Sequence, residues 1–364
     1  MSNARELAEL AGSYGTGGFV GMKNRIINGD MRIDQRNAGG VVAASQNVSN
    51  VYMLDRWCYY FYGVGTANFQ QVSDAPAGFT KSLKMTVTGV DSTIAGADDY
   101  MIRHFIEGFN FADMGWGAAG AQSATLSFWV KCSTTGVIAV ALQSGAGDLS
   151  YVTPVTINSA NTWEYKTVTI AGPASGTFAT GNTANVSVNF SVGNSKTNTA
   201  NTWNAGNYIG VSGATNFMAT NGLTFQVTGV QLEKGSTATS FDYRPYGTEL
   251  ALCQRYYFKT GSGAGGTLAI GQAANSTLAE MHVHFPVSMR AAPTALDQSG
   301  TASNYSIIYG VNSAASTVVP YIAGSQSTKD IGVCVATVSS VLTAGYAVYL
   351  RSSAGGALGF SSEL

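Results

Sequence analysis

The chain of 364 residues is long enough for two or three domains, each with its own core. Charged residues make up 11%, against about 25% in ordinary soluble domains, while hydrophobic residues stand at 45%, which excludes a disordered solvating chain. The formal net charge of −1 is spread thinly, with no basic stripe to neutralise phosphates, so nucleic acid is excluded as a partner. Forty-four Gly with only 7 Pro and no Gly-X-Y period rule out collagen, and the remainder, rich in Ser, Thr, Val and aromatic residues, suits many short strands with tight turns.

In chain order, Met1–Leu10 carries charges and no apolar core, so it is not a secretory signal. Arg5–Leu10 is the one convincing helical piece, with Leu7 and Leu10 at i and i+3 and Ser2 or Asn3 as cap. So short a helix cannot hold alone in water and must dock onto something. The glycines from Gly12 to Gly21 follow as a hinge; no strand precedes them and no Gly-Lys-Ser/Thr follows, against a phosphate loop.

From Asn24 onward the hydrophobic period is two. Predicted strands are Arg56–Tyr62, Leu83–Val87, Tyr100–Ile106, Leu126–Lys131, Val137–Leu142, Trp163–Ile170, Val186–Val192 and Leu223–Leu232. About eight to ten strands between Asn24 and Arg244 fit a jelly-roll sandwich. Leu250–Lys259 reads as a connector into the glycine patch Gly261–Gly266, with a domain boundary near Gly261. Beyond it, Thr267–Gly271, Met281–Phe285, Ser306–Tyr309, Thr317–Ile322, Ile331–Val338 and Ala344–Leu350 read as a second, smaller β-sandwich. The uncharged run Ile331–Leu350 is interrupted by Ser339, Ser340, Thr343 and Gly345, which favours strands over a membrane span. The organisation is thus residues 1–23, 24–249 and 250–364, all-β after the first helix.

Cys58, Cys132, Cys253 and Cys334 are isolated, without a CxxC pair, so a disulfide framework is not expected. Three His and no GxSxG elbow leave little material for a Ser-His-Asp triad. Asp98, Asp99, Glu107 and Asp113 are compatible with solvated loops, one side of a structural calcium site, or a glycosidase carboxylate pair; a non-enzyme is the expectation. Trp116 and Trp203 sit in loops with small residues, the latter beside Asn201 and Asn204. Such a tryptophan either stacks on a sugar ring while the amides bind hydroxyls, or folds over the sandwich edge. In Glu280–His284, His282 and His284 share one strand face and Met281 and Val283 the other.

Several stretches resemble bacteriophage tail fibre proteins, especially of marine and cyanobacterial phages. Asn24–Asn37 (NRIINGDMRIDQRN), followed by Leu54–Trp57, is similar to the opening of their carbohydrate-binding-module-like jelly roll, and Thr125–Lys131 and Trp163–Ile170 are similar to its strands. Gly229–Tyr257 (GVQLEKGSTATSFDYRPYGTELALCQRYY) is the most specific match; Phe285–Thr294 and Leu358–Leu364 resemble the fibre's terminal domain. The resemblance implies a homotrimeric virion protein: an N-terminal anchor carrying Arg5, Leu7 and Leu10 held by a tail or other virion protein, and adsorption to host surface polysaccharide at the far end. A trimerising C-terminal tip over 250–364 fits its long uncharged stretches. No catalytic residue is carried over, and neither a cofactor nor membrane insertion is implied. Rival readings are a capsid or collar fibre and a polysaccharide depolymerase. Should His282 and His284 face a trimer axis, three such pairs offer six imidazoles to an octahedral metal, as similar pairs do in some trimeric phage fibres; otherwise they are simply exposed.

Overall fold

The computed structural model describes residues 22–261, 263–323 and 326–364. The anchor residues Arg5, Leu7 and Leu10 lie outside them.

The first domain is a sandwich of two antiparallel sheets. One runs, in spatial order, Val42–Ala43, Thr66–Val72, Ser82–Gly89, Thr224–Lys234, Ala124–Cys132 and Glu164–Ile170. The other runs Trp203–Ala205, Leu149–Ile157, Gly136–Ser144, Ala184–Asn194, Asp99–Glu107, Trp57–Tyr62 and Val48–Leu54. Alternation does what it promised: Leu126, Phe128 and Val130 face Val186, Val188 and Phe190 in a dry core. The rings of Phe128 and Phe190 meet edge to face at 5.0 Å, and Phe61 meets Tyr100 likewise at 5.0 Å. With six and seven strands in the two sheets, the jelly roll is larger than the eight to ten predicted. Val48–Leu54, Thr66–Val72 and Leu149–Ile157 were not predicted; the last contains Pro154, which ordinarily argues against a strand.

Residues 24–33 form a strap along Thr224–Lys234, held by asparagines that substitute for strand partners. Asn24 donates from Nδ2 to the Val230 carbonyl (3.0 Å) and accepts from the Leu232 amide (3.1 Å). Asn28, at φ 57°, donates to the carbonyls of Ile33 and Asp55 (2.8 and 2.9 Å) and offers its own carbonyl to the Trp57 indole (2.9 Å).

The segment read as a connector contains a helix, α1 (Tyr246–Gln254), followed directly by the strand Tyr257–Lys259. Pro245 precedes it, fixing the entry, and Cys253 is buried with Ile27, Ile33 and Tyr256. The second domain packs the sheet Tyr257–Lys259, Gly359–Ser361 and Ala295–Asp297 on a seven-stranded sheet. The latter runs Asn312–Ala315, Tyr305–Tyr309, Ala347–Ser352, Thr267–Ala273, Leu278–His284, Ile331–Thr337 and Tyr321–Ile322. Of the predicted strand Thr317–Ile322, only its end forms. Ile331–Leu350 is two strands joined by a turn, and no helix among the described residues is long and apolar enough to cross a membrane. All four cysteines are buried free thiols.

Charged residues fill the joint between the domains. Glu363 meets Arg56 and Arg36 (3.0 Å to the latter), while these guanidiniums lie 3.6 Å over the rings of Tyr256 and Tyr257. Arg255 grips Glu107 with two bonds (3.0 and 2.6 Å), and the Tyr256 hydroxyl donates to the same carboxylate at 2.5 Å.

Candidate functional site

The seven-stranded sheet of the jelly roll buries one face and turns the other outward. In Trp57–Tyr62 the inward residues are Trp57, Tyr59 and Phe61, which leaves Cys58, Tyr60 and Tyr62 on the outer face. In Asp99–Glu107 the inward set is Tyr100, Ile102, His104 and Ile106, leaving Met101, Arg103 and Phe105 outside. Ala184–Asn194 and Gly136–Ser144 add Ser187, Asn189 and Gln143 to that face.

The loop after residue 195 crosses half of this surface, where Ile209 and Val211 cover Met101, Ala139, Ala141 and Val152. The rest of the face lies beyond this cover, with Tyr60 at the border packed against the covered cluster and the half-buried Arg103 as its floor. Its Nε donates to Asn189 Oδ1 (2.5 Å), Nη2 to Gln143 Oε1 (3.0 Å) and to Met101 Sδ (3.2 Å), and Nη1 reaches Asn50 Oδ1 at 3.4 Å. Its guanidinium lies 5.3 Å from the Tyr60 ring centre and 5.2 Å from that of Phe105. Tyr60 and Tyr62 pack together with ring centres 4.8 Å apart and planes tilted by 30°. Gln143 passes the network on to Asn207 and to the Tyr208 carbonyl (3.3 Å), and Lys196 pairs with Asp99 beside Tyr60. Burial pulls the Arg103 guanidinium below its ordinary pKa and pushes the Tyr60 phenol up. The result is a platform of three half-buried rings and one half-buried cation, held in place from beneath by the buried amides of Asn189 and Gln143. Such a surface can hold a ring-shaped, hydroxyl-rich molecule by stacking on the rings and by hydrogen bonds from the phenols and the guanidinium.

The predicted tryptophans lie elsewhere, together. Trp116 and Trp203 meet edge to face at 5.2 Å, with Phe111, Phe178 and Tyr151 around them. Both indole N–H groups are used internally: Trp116 donates to the Gln122 carbonyl and Trp203 to that of Ala171, each at 2.7 Å. Trp116 is 7% exposed, so its ring has no face to offer a sugar; it closes the end of the sandwich, the other reading of a loop tryptophan. Trp203 is half-buried in the same cluster. Asn201 sits at φ 61° and accepts from Thr153, and Asn204 binds the carbonyls of Thr199 and Thr202, so these amides shape their own loop.

The carboxylates each have a local partner. Glu107 is clasped by Arg255 and Tyr256, Asp99 pairs with Lys196, Asp113 with Arg25 (2.7 Å), and Asp98 accepts from the Ala95 amide (2.8 Å). No cluster of three His, Cys, Asp or Glu able to hold a metal occurs within one chain among the described residues. His282 and His284 are exposed on the outer face of the second domain's sheet, opposite buried Met281 and Val283, the division of faces read from the sequence. They border an apolar depression of about 670 Å³ with Ile270, Ile308 and Tyr349.

No protein-family model and no curated protein matches the sequence. Among solved structures, the chain is similar to the enzymatically active domain of bacteriophage CBA120 tailspike protein 4, at 13% identity and TM-score 0.33, over 58% of this chain and 21% of that one. It is also similar to a CBM4 module (17%, TM-score 0.31, 57% of this chain and 97% of that one). A third is a family 11 carbohydrate-binding module of a cellulosomal cellulase of Clostridium thermocellum (12%, TM-score 0.27, 54% and 99%). By its own geometry the chain is an all-β protein, a jelly-roll sandwich joined through a charged interface to a second β domain.

Proposed function

We propose that the jelly-roll domain binds glycan on the uncovered part of its outer sheet face, and that it does so as a virion fibre adsorbing to a host surface. The observation that carries the first part is the platform itself: Tyr60, Tyr62 and Phe105 arranged around Arg103, which the buried Asn189 and Gln143 fix in place. The fibre setting rests on the sequence resemblance, and non-enzymatic adsorption fits carboxylates that are spent on structural partners. Weak contacts at each site gain strength when several copies engage one surface. Homotrimer formation through the second domain is supported by its apolar outer face, where Ile270 is 61% exposed beside Ile308 and Tyr349.

Binding of bacterial capsular and lipopolysaccharide oligosaccharides to the full chain tests this directly. Tyr60→Ala and Tyr62→Ala should each lower affinity about tenfold while leaving the fold intact. Unchanged affinity in both would remove the platform from the account; new reducing ends would replace binding by cleavage.

A further inference from the structure

Six arginines lie in the jelly-roll domain, and five of them meet carboxylates. Arg25 pairs with Asp113, Arg32 with Asp30, Arg36 and Arg56 with Glu363, and Arg244 with Glu249. Arg103 is the exception: its partners are two amide oxygens, a third at the limit of range, and a thioether. The one carboxylate on the same face near it, Asp99, is taken by Lys196. A largely desolvated cation is costly unless an opposite charge compensates it. Here the protein supplies only dipoles, aimed so that the guanidinium stays fixed between the rings of Tyr60 and Phe105. One of its five N–H groups, on Nη1, has no partner among the described residues.

We infer that this face selects acidic sugars, a carboxylate or sulfate on the glycan supplying the counter-charge that Arg103 lacks. The inference rests on the glycan-binding reading above and narrows it. The anion would meet the remaining Nη1–H at the open side while the sugar ring lies on Tyr60 and Tyr62. A charge-assisted bond is about twice as strong as a neutral one, which translates into about a tenfold preference for the acidic ligand. A single fixed cation in a chain of net charge −1 gives no stripe for a polyphosphate backbone, so the anion is a substituent on a sugar.

The test uses the full chain on an array in which neutral oligosaccharides stand beside their uronate and O-sulfated counterparts. Expected is retention of the acidic member of at least one pair about tenfold more tightly than its neutral partner, weakened at 0.5 M salt. Retention of uronates or of sulfates then assigns the anion. Asn50→Asp places a carboxylate beside Nη1 without touching the rings, and Asn50 already has the positive φ that Asp tolerates. That variant should keep its melting temperature and bind both members of a pair alike; Arg103→Gln, which removes the charge together with the platform's floor, should abolish the acidic preference whatever its effect on overall affinity. Equal binding of neutral and acidic partners by the native chain, or a preference that survives in both variants, overturns the inference while leaving glycan binding in place. Failure to bind any glycan overturns the reading on which it rests.

Discussion

Buried polar side chains carry much of the specificity of this fold. Asn24 and Asn28 bind backbone groups that a strand would otherwise satisfy, which explains in physical terms why the Asn24–Asn37 stretch looks like a motif. His104 is another such group. It is fully buried against Trp57, with Nε2 3.0 Å from the Ile27 carbonyl and no partner for Nδ1 among the described residues. Burial, and after it Arg56, holds its pKa well below the ordinary imidazole value. The folded state thus excludes a proton that the unfolded chain accepts. Stability from this group is complete above about pH 6.5 and is lost on acidification, by about 1.4 kcal/mol per pH unit. Asp55, pushed up to about 7 by burial, acts with the opposite sign in the same window, so the two must be separated by substitution. In urea titrations at pH 5.0 and 6.5, His104→Gln should lose less stability than the native chain over that interval; an identical loss would exclude His104 as the sensor. At this scale the sequence was partly legible. The outer-face set Tyr60, Arg103 and Phe105 was written in the two-residue alternation of strands that were correctly predicted. Loop position drew attention to Trp116 and Trp203, but indoles can fold back, and these did.

Strands were the most readable elements because a half-buried sheet enforces alternation, and Asp99–Glu107 and Ala124–Cys132 obey it. Helix α1 was not readable as one: its apolar residues face two domains at once, so no single stripe marks it. Within Thr224–Lys234 the register to Ala124–Cys132 shifts between Thr228 and Gln231, and Gly229 sits there at φ 60°. A Cβ at this position would lie 2.6 Å from the Phe79 ring, which packs with Phe241 and Tyr243. Gly229→Ala should therefore cost about 2 kcal/mol, from both the backbone conformation and the displaced ring. Thermal melts check this, and a change within 0.5 kcal/mol, the usual effect of a surface substitution, would show that the bulge relaxes freely.

On the scale of the molecule, Glu363 ties the end of the second domain to the first. Its carboxylate is 6% exposed and serves Arg36 and Arg56, themselves 9% and 1% exposed in their side chains. Glu363→Ala leaves two guanidiniums buried without it and should cost about 3–5 kcal/mol. Chemical denaturation should show that loss, with Glu363→Gln milder; a cost under 1 kcal/mol would mean the joint is held by packing alone. For self-association, Ile270→Asp in the full chain should weaken the oligomer seen by sedimentation if the exposed sheet face is the contact, and leave it unchanged if it is not.

The central claim, that glycan lies on the outer face of the jelly roll, is tested most directly by locating it. The full chain carrying isotope-labelled aromatic rings is titrated with bacterial surface oligosaccharides and followed by NMR. Shifts at Tyr60, Tyr62 and Phe105, with Trp116 and Trp203 unmoved, are the expected result. Shifts confined to Trp203 and its loop, to the second domain, or absent altogether would contradict it.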